Sequence, residues 1–340
     1  MAKIANRATG RPTLAEVAEL AGVSPITASR ALRSVASVDP ERARRVHAAA
    51  QSLGYVVNTA ARALASRHSQ SVVVLIPSLS NQLFIETLEA IHAVMRPRGL
   101  EVLIGNYHYD IDEEENLIRN YLAYQPRGLL LTGFDRSEGS RQLLAASGLP
   151  CVHMMELDHS PGVSAVGFSQ RQAGLAAARH LLAGGRKRLA YIAAQLDPRA
   201  LQRGAGFREA LVQAGLHDPA LEIMAPVPSS IGLGGELFTE LLRKHPEVDG
   251  IFFCNDDLAQ GAILEASRQA IAIPQRVAMV GFNDLPASAH LVPRLTSIRT
   301  PRAAIGTRAA HMLLERMDGK PCNQEVHDLG FELVVRESSG

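Results

Sequence analysis

The chain has 340 residues, more than one hydrophobic core usually supports, so two or three packed units are expected. Hydrophobic residues make up 46% and charged residues 20%, the balance of a soluble globular protein. No apolar run reaches the ~18 residues of a membrane span, so no membrane partner is expected. The net charge of +1 hides an asymmetry. Residues 1–68 hold ten Lys+Arg against four Asp+Glu and the remainder twenty-five against thirty, so a basic head suited to a polyanion precedes an acidic body.

Lys3, Arg7 and Arg11 open the chain with no apolar stretch behind them, so no export leader is expected and the chain is assigned to the cytoplasm. Thr13-Leu14-Ala15-Glu16 fits a capping box, with Leu14, Val17, Ala18 and Ala21 at helical spacing and Gly22 as the stop. Ser24 then offers an N-cap and Pro25 a first helical position for a second helix to Leu32, with Ala28, Ala31 and Leu32 inward. Asp39-Pro40 starts a third helix that Gly54 ends. Two helices joined by a short Gly-containing turn form the helix-turn-helix unit that sets its second helix in the major groove of double-stranded DNA. Its outward Pro25, Ile26, Arg30 and Arg33 suit thymine methyls and guanine edges. Outward Thr27 and Ser29 are base-reading candidates too, or they and the backbone amides near Ser24 hold phosphates instead, and Thr13 at the first helix start is assigned to the same DNA-facing set.

Thr13-Leu14-Ala15-Glu16-Val17-Ala18, Ala21-Gly22-Val23-Ser24, Thr27-Ala28-Ser29-Arg30 and Leu53-Gly54-Tyr55 resemble the lactose-repressor family over nearly the whole chain. The resemblance implies a homodimeric transcription repressor. It implies that residues 1–57 are the DNA-binding domain, that the dyad Pro25-Ile26 helps select the operator, and that 58–69 is a hinge folding on DNA. In that hinge Leu64 would wedge into the minor groove, with Asn58 and Arg62 reaching phosphates or groove edges. By itself the Ala-rich hinge is too short to be a stable helix.

Residues 70–340 alternate apolar runs of strand length (71–77, 100–107, 128–132, 150–155, 188–193, 250–254, 277–282) with helix-patterned segments (84–95, 113–124, 172–182, 206–214, 233–244, 258–269). That alternation predicts an α/β body of two doubly wound parallel-sheet lobes, similar to the periplasmic binding proteins, with a break near Ser160 and a return near Arg294. Ligands of such sheets sit beyond the carboxyl ends of strands, so a cleft is expected among Ser78, Asn81, Gln82, Phe84, Tyr107, His108, Glu156, Arg199, Arg203, Asn255, Asp256 and Asn283.

The resemblance aligns Arg203 with the family's ligand-gripping arginine and Asn255-Asp256 with its sugar-contacting pair. Asp256 equally suits a structural role. The family often carries an aspartate at the position of Asn283, and its loss favours an anionic ligand. Within the family, Pro77 to Gln82, Asn106 to Tyr109, Gln195-Leu196-Asp197 and Asp328 to Phe331 resemble the gluconate and 2-ketogluconate repressors. A small-molecule sugar acid is therefore the expected effector, 2-ketogluconate first and gluconate second. Its carboxylate suits the guanidinium forks of Arg199 and Arg203.

No nucleotide fingerprint, phosphate loop or metal-ligand spacing is present, so no cofactor and no enzymatic activity are expected. His108, His153 and His180 are read as satisfied or surface histidines, and the widely spaced Cys151, Cys254 and Cys322 as buried thiols. No leucine heptads follow Val335, so a dimer without a coiled-coil tetramer is expected, with helices 84–95 and 113–124 as interface surfaces.

Overall fold

The computed structural model describes residues 12–32, 38–56, 69–320 and 325–340. The chain divides into two compact units, Met1–Ser69 and Gln70–Gly340.

In the first unit, α1 (Leu14–Ala21), α2 (Pro25–Leu32) and α3 (Pro40–Leu53) enclose Val17, Ala18, Ala21, Ala28, Ala31, Val46, Ala49 and Ala50. The Thr13 hydroxyl accepts from Glu16 N at 3.3 Å while Glu16 returns a carboxylate oxygen to Thr13 N at 2.8 Å, the reciprocal box its spacing predicts. Gly22 (φ 64°) and Gly54 (φ 64°) close α1 and α3 in the left-handed region, where a side chain would be strained. Ala-sized residues dominate this core, so the helices approach closely and small volume changes are felt.

The second unit holds two six-stranded sheets. The first comprises β1 (Ser71–Ile76), β2 (Glu101–Asn106), β3 (Leu129–Thr132), β4 (Cys151–Met154), β5 (Ala165–Gly167) and a late strand β11 (Val326–Asp328), ordered β11-β5-β4-β3-β1-β2 and parallel throughout. Helices α4 (Leu83–Met95), α5 (Ile111–Leu122) and α6 (Glu138–Ser147) connect its strands. The second sheet comprises β6 (Leu189–Ala194), β7 (Glu222–Ala225), β8 (Gly250–Phe253), β9 (Ala278–Asn283), β10 (Thr296–Arg299) and β12 (Glu332–Val334), ordered β12-β10-β9-β8-β6-β7. Only β12 runs antiparallel, against β10. Helices α7 (Gln170–Ala183), α8 (Pro198–Gln213), α9 (Ile231–Lys244) and α10 (Asp256–Arg268) belong to it.

Both lobes therefore place their first strand between the second and third, so the strand order reverses at one point in each. The space beyond the strand ends at that reversal is where doubly wound sheets bind ligands. The central apolar runs are buried strands because helices cover both sheet faces, with β1, β3, β6, β8 and β9 buried at every position, whereas the run at 100–107 forms the edge strand β2, half-buried with Glu101 exposed, and β4 is buried only at alternate positions.

The lobe boundaries differ from those read in the sequence. The break is at Phe168–Ser169 rather than near Ser160, because the three-residue strand β5 still belongs to the first sheet. The return is at Thr300–Pro301 rather than near Arg294, because β10 pairs with β9 first. From there α11 (Arg302–Met317) packs back on α4 and the first sheet, with Gly306 so close to the Thr87 carbonyl that a Cβ would lie 2.4 Å from it. A third crossing runs from β11 to β12 through Leu329–Phe331. Short strands and a lone turn of three residues carry too little periodicity to announce themselves.

Helices α7 and α8 touch backbone to backbone through Gly174 and Gly206, where an added Cβ would lie 1.9 Å from the Arg203 carbonyl and 1.8 Å from the Arg171 carbonyl. Gly206→Ala is expected to lower unfolding stability by about 1–3 kcal/mol, since overpacking against backbone outweighs the helix propensity gained. Urea denaturation checks this.

Candidate functional site

On the basic head, Ser24, Pro25, Ile26 and Arg30 are exposed along the first turns of α2, with Thr27 and Ser29 half-buried beside them. The Ser24 hydroxyl accepts from Thr27 N at 3.2 Å and lies 2.9 Å from the Thr27 hydroxyl, so it caps the helix. Ile26 is 67% exposed, a large apolar side chain left uncovered among the described residues of the head. Thr13 is exposed but its side chain is engaged with Glu16. Arg33, Asn58, Arg62 and Leu64 lie outside the described residues.

In the body, residues at the carboxyl ends of strands in both lobes converge on one cleft with two chambers. The inner chamber, about 440 Å³ including its mouth, is walled by Asn81, Phe84 and Tyr109 of the first lobe and by Asp197, Arg199, Arg203, Asn255 and Asn283 of the second. Phe168, Gln170, Phe282 and Thr300 complete it near the crossings. The outer chamber, about 710 Å³, is lined by Ser78, Ser80, His108, Gln195, Ser229 and Asp257, and shares Asn81, Tyr109 and Asn255 with the inner one. His108, Tyr109, Met155, Gln195, Asn283 and Asp284 are non-glycine residues at positive φ, and all lie at or just beyond the ends of β2, β4, β6 or β9. Such backbone costs of order 1 kcal/mol or more per residue, and it collects where side chains must be aimed.

Two arginines face this cleft in different electrostatic circumstances. Arg199, buried, directs Nη1 at Glu156 (3.2 Å) and Asp135 (3.3 Å) of the first lobe and Nε at Asp197 (3.1 Å), leaving Nη2 without a hydrogen bond. Three carboxylates hold its pKa well above the usual arginine value against the opposing effect of burial. It is a bridge between lobes. Arg203, one turn further along α8 and only 5% exposed, donates from Nη1 to the Gln170 side-chain oxygen at 2.7 Å and lies 4.1 Å above the Phe282 ring. Its Nε is buried and unsatisfied, and it makes no ion pair among the described residues. A buried cation whose partners are an amide, a ring and the buried Tyr191 hydroxyl, all neutral, is costly unless an anion joins it.

The amides complete the polar lining: Asn283 Nδ2 donates to Asn255 Oδ1 at 3.4 Å, bringing the ends of β8 and β9 together. The Asn283 carbonyl accepts from buried Arg302, which also pairs with Glu86 on α4 at 2.7 Å, so the cleft floor is tied to a first-lobe helix. Burial pushes the Tyr109 hydroxyl up to about 12, so it is a neutral group.

Of the twelve residues expected at the cleft, Asn81, Phe84, Arg199, Arg203, Asn255 and Asn283 line the inner chamber, and Ser78 and His108 only the outer. The other four are elsewhere. Tyr107 follows β2 into the opposite side of the sheet, in a core with Val73, Leu75, Ile118, Leu129 and Leu131. Glu156 lies behind Arg199, held also by Gln202 at 2.8 Å. Gln82 is exposed at the start of α4. Asp256 turns into the second lobe, accepting from Leu285 N (2.6 Å), Ser288 Oγ (2.7 Å) and Ser297 Oγ (2.6 Å), so it fixes the turn after β9. Burial pushes its pKa up to about 7.

Sequence reasoning missed Tyr109, Phe168, Gln170, Asp197, Phe282 and Thr300. Asp197 had a local signal, since Asp-Pro is a helix start and its carboxylate does cap α8 at Arg199 N, 2.9 Å. It restores a carboxylate to the pocket that Asn283 alone would not supply. Cys151 and Cys254 are unbridged, their thiols pushed up to about 11 and about 12 by burial, while Cys322 lies outside the described residues. No group of metal-ligating side chains occurs among the described residues, and no described helix is long and apolar enough to cross a membrane.

A family model described as bacterial regulatory proteins, lacI family, matches residues 13–58, and one described as a periplasmic binding protein-like domain matches residues 178–339. The HTH-type transcriptional regulator GntR of Pseudomonas aeruginosa is 66% identical over 333 residues, 98% of this chain and 97% of that protein. The chain belongs to the lacI family. The crystal structure of the transcription regulator GntR from Chromobacterium violaceum is 44% identical with a TM-score of 0.78, covering 79% of this chain and 99% of that one. A lac repressor dimer bound to operator shares the fold, with a TM-score of 0.83 at 23% identity, covering 97% and 99%. As a lacI-family member the chain is a DNA-binding transcription repressor with an effector-binding domain, and not an enzyme.

Proposed function

We propose that this lacI-family repressor controls genes of sugar-acid catabolism, and that a sugar acid, 2-ketogluconate first and gluconate second, releases it from its operator. The observation that carries this reading is Arg203: a cation 5% exposed, in no ion pair among the described residues, lining a chamber whose other charged groups, Asp197 and Arg199, are already paired with each other. A carboxylate satisfies the guanidinium, and polyol hydroxyls suit Asn81, Asn255 and Asn283. The likeness of Pro77 to Gln82 and Asn106 to Tyr109 to the gluconate and 2-ketogluconate repressors points the same way. Titration calorimetry against aldonic acids, keto acids and neutral sugars tests the reading. Tight binding of a neutral sugar with no response to any acid would overturn it.

DNA contact falls to the exposed start of α2 and to the hinge. Ser24, Thr27 and Ser29 suit phosphates, and Pro25, Ile26, Arg30 and Arg33 base edges. Leu64 is the minor-groove wedge with Asn58 and Arg62 beside it. Leu64→Ala is expected to weaken operator binding by about tenfold or more while changing non-specific binding little, as measured by titration of labelled duplexes at one salt concentration. Near-palindromic operators call for a two-fold dimer. The first-lobe helices α4 and α5 carry exposed Ile85 (51%) and Ile111 (46%), apolar groups such an interface would cover. Effector in the cleft changes the lobe arrangement and the spacing of the two hinges, a shift between two populations.

A further inference from the structure

The two chambers of the cleft share three lining residues, Asn81 and Tyr109 from the first lobe and Asn255 from the second. Tyr109 is the only one with bulk enough to close the opening, and it hydrogen-bonds the Asn81 side chain. Its backbone is held where few side chains go: His108 has φ 50° and Tyr109 φ 60°, consecutive left-handed residues neither of which is glycine. The turn is fixed from both sides. Asp110 N donates to the Tyr107 carbonyl at 2.8 Å, Asp110 caps α5 through Asp112 N (2.8 Å) and Glu113 N (3.1 Å), and Tyr107 is buried in the sheet core. A strained turn anchored on each side, carrying an aromatic residue that lines both chambers, is a device for placing that ring.

The chambers differ in kind. The inner one holds the guanidinium of Arg203, which is in no ion pair among the described residues. The outer one has no cation, but offers hydroxyls and amides of Ser78, Ser80, Gln195 and Ser229, groups that bind sugars in general. Without the ring between them, the two would form one elongated site for an acid with a second sugar unit.

We propose that Tyr109 sets the length of the effector: its ring, across the cleft from Asn255, closes the inner chamber behind a single sugar-acid unit and excludes acids carrying a second sugar. This rests on the sugar-acid reading above, and adds a specificity-determining residue to it.

The test is calorimetry of the full chain with gluconate, 2-ketogluconate and lactobionate, an aldonic acid bearing one further hexose. Wild type is expected to bind lactobionate at least about tenfold more weakly than its best single-unit acid. Tyr109→Gly, which suits the positive φ and removes the ring, is expected to narrow that gap by about tenfold, whereas Tyr109→Phe keeps it. Tyr109→Asn, also tolerant of left-handed backbone, repeats the comparison should the glycine variant melt early. Wild-type affinities within tenfold of each other, or a gap unchanged in both the Gly and Asn variants, would overturn the proposal. If wild type binds none of the acids, the sugar-acid reading itself has failed and the length selection falls with it.

Discussion

Arg203→Gln is expected to cost about 2–4 kcal/mol of sugar-acid affinity, roughly 30- to 1,000-fold, while leaving the free protein as stable as wild type or more so. The two effects share one cause. Without ligand, Arg203 is a buried cation with a ring 4.1 Å below it, an amide at 2.7 Å and an unsatisfied Nε, so its desolvation is only partly offset. Removing the charge removes that cost, and with it the charge-assisted hydrogen bonds that a carboxylate would make. Thermal denaturation should show an unchanged or raised midpoint for the free variant and no further rise with ligand, where wild type rises by mass action. In operator binding the same variant should be an effector-insensitive repressor. Wild-type affinity for the acid in Arg203→Gln would remove the main support for the proposed effector class.

Arg199→Met is expected to behave in the opposite sense, destabilising the body by about 3–5 kcal/mol at neutral pH. The substitution keeps apolar volume but leaves Glu156, Asp197 and Asp135 facing one another, with side-chain exposures of 7%, 9% and 25%. Like charges and burial both raise carboxylate pKa values, so in the variant the folded state takes up protons that the unfolded state does not. Stability should therefore recover as pH falls from 7 towards 5, opposite to the usual loss of salt bridges in acid. Because Asp135 and Glu156 belong to the first lobe and Arg199 to the second, the lobes should also separate more readily. Urea titrations at both pH values decide the matter, and a loss below about 1 kcal/mol would mean that the three carboxylates find other partners.

The contrast between these two arginines marks the limit of what the chain's pattern conveys. Four residues apart on α8, they share a residue type and a helix face, and a carboxylate-gripping role suits both from the sequence. Only the fold brings Glu156 and Asp135 to one of them and Gln170 and Phe282 to the other. Tyr107 and Tyr109 make the same point on β2 and its turn: two residues apart, one enters the sheet core and the other the cleft, because two left-handed residues follow the strand and reverse the expected alternation.

What the sequence determined by itself is whatever rests on contacts within a few residues. The capping box at Thr13, the caps at Ser24 and Asp39, the left-handed Gly22 and Gly54, and the buried runs of β1, β3, β6 and β8 are local or periodic, and each carries a residue pattern that physics permits in few other ways. The tertiary structure alone decided where the chain crosses between lobes, which cation is left without an anion, and which ring divides the cleft. Those depend on charges and side chains brought together from positions as far apart as Glu86 and Arg302, 216 residues, and electrostatic compensation has no period along a chain.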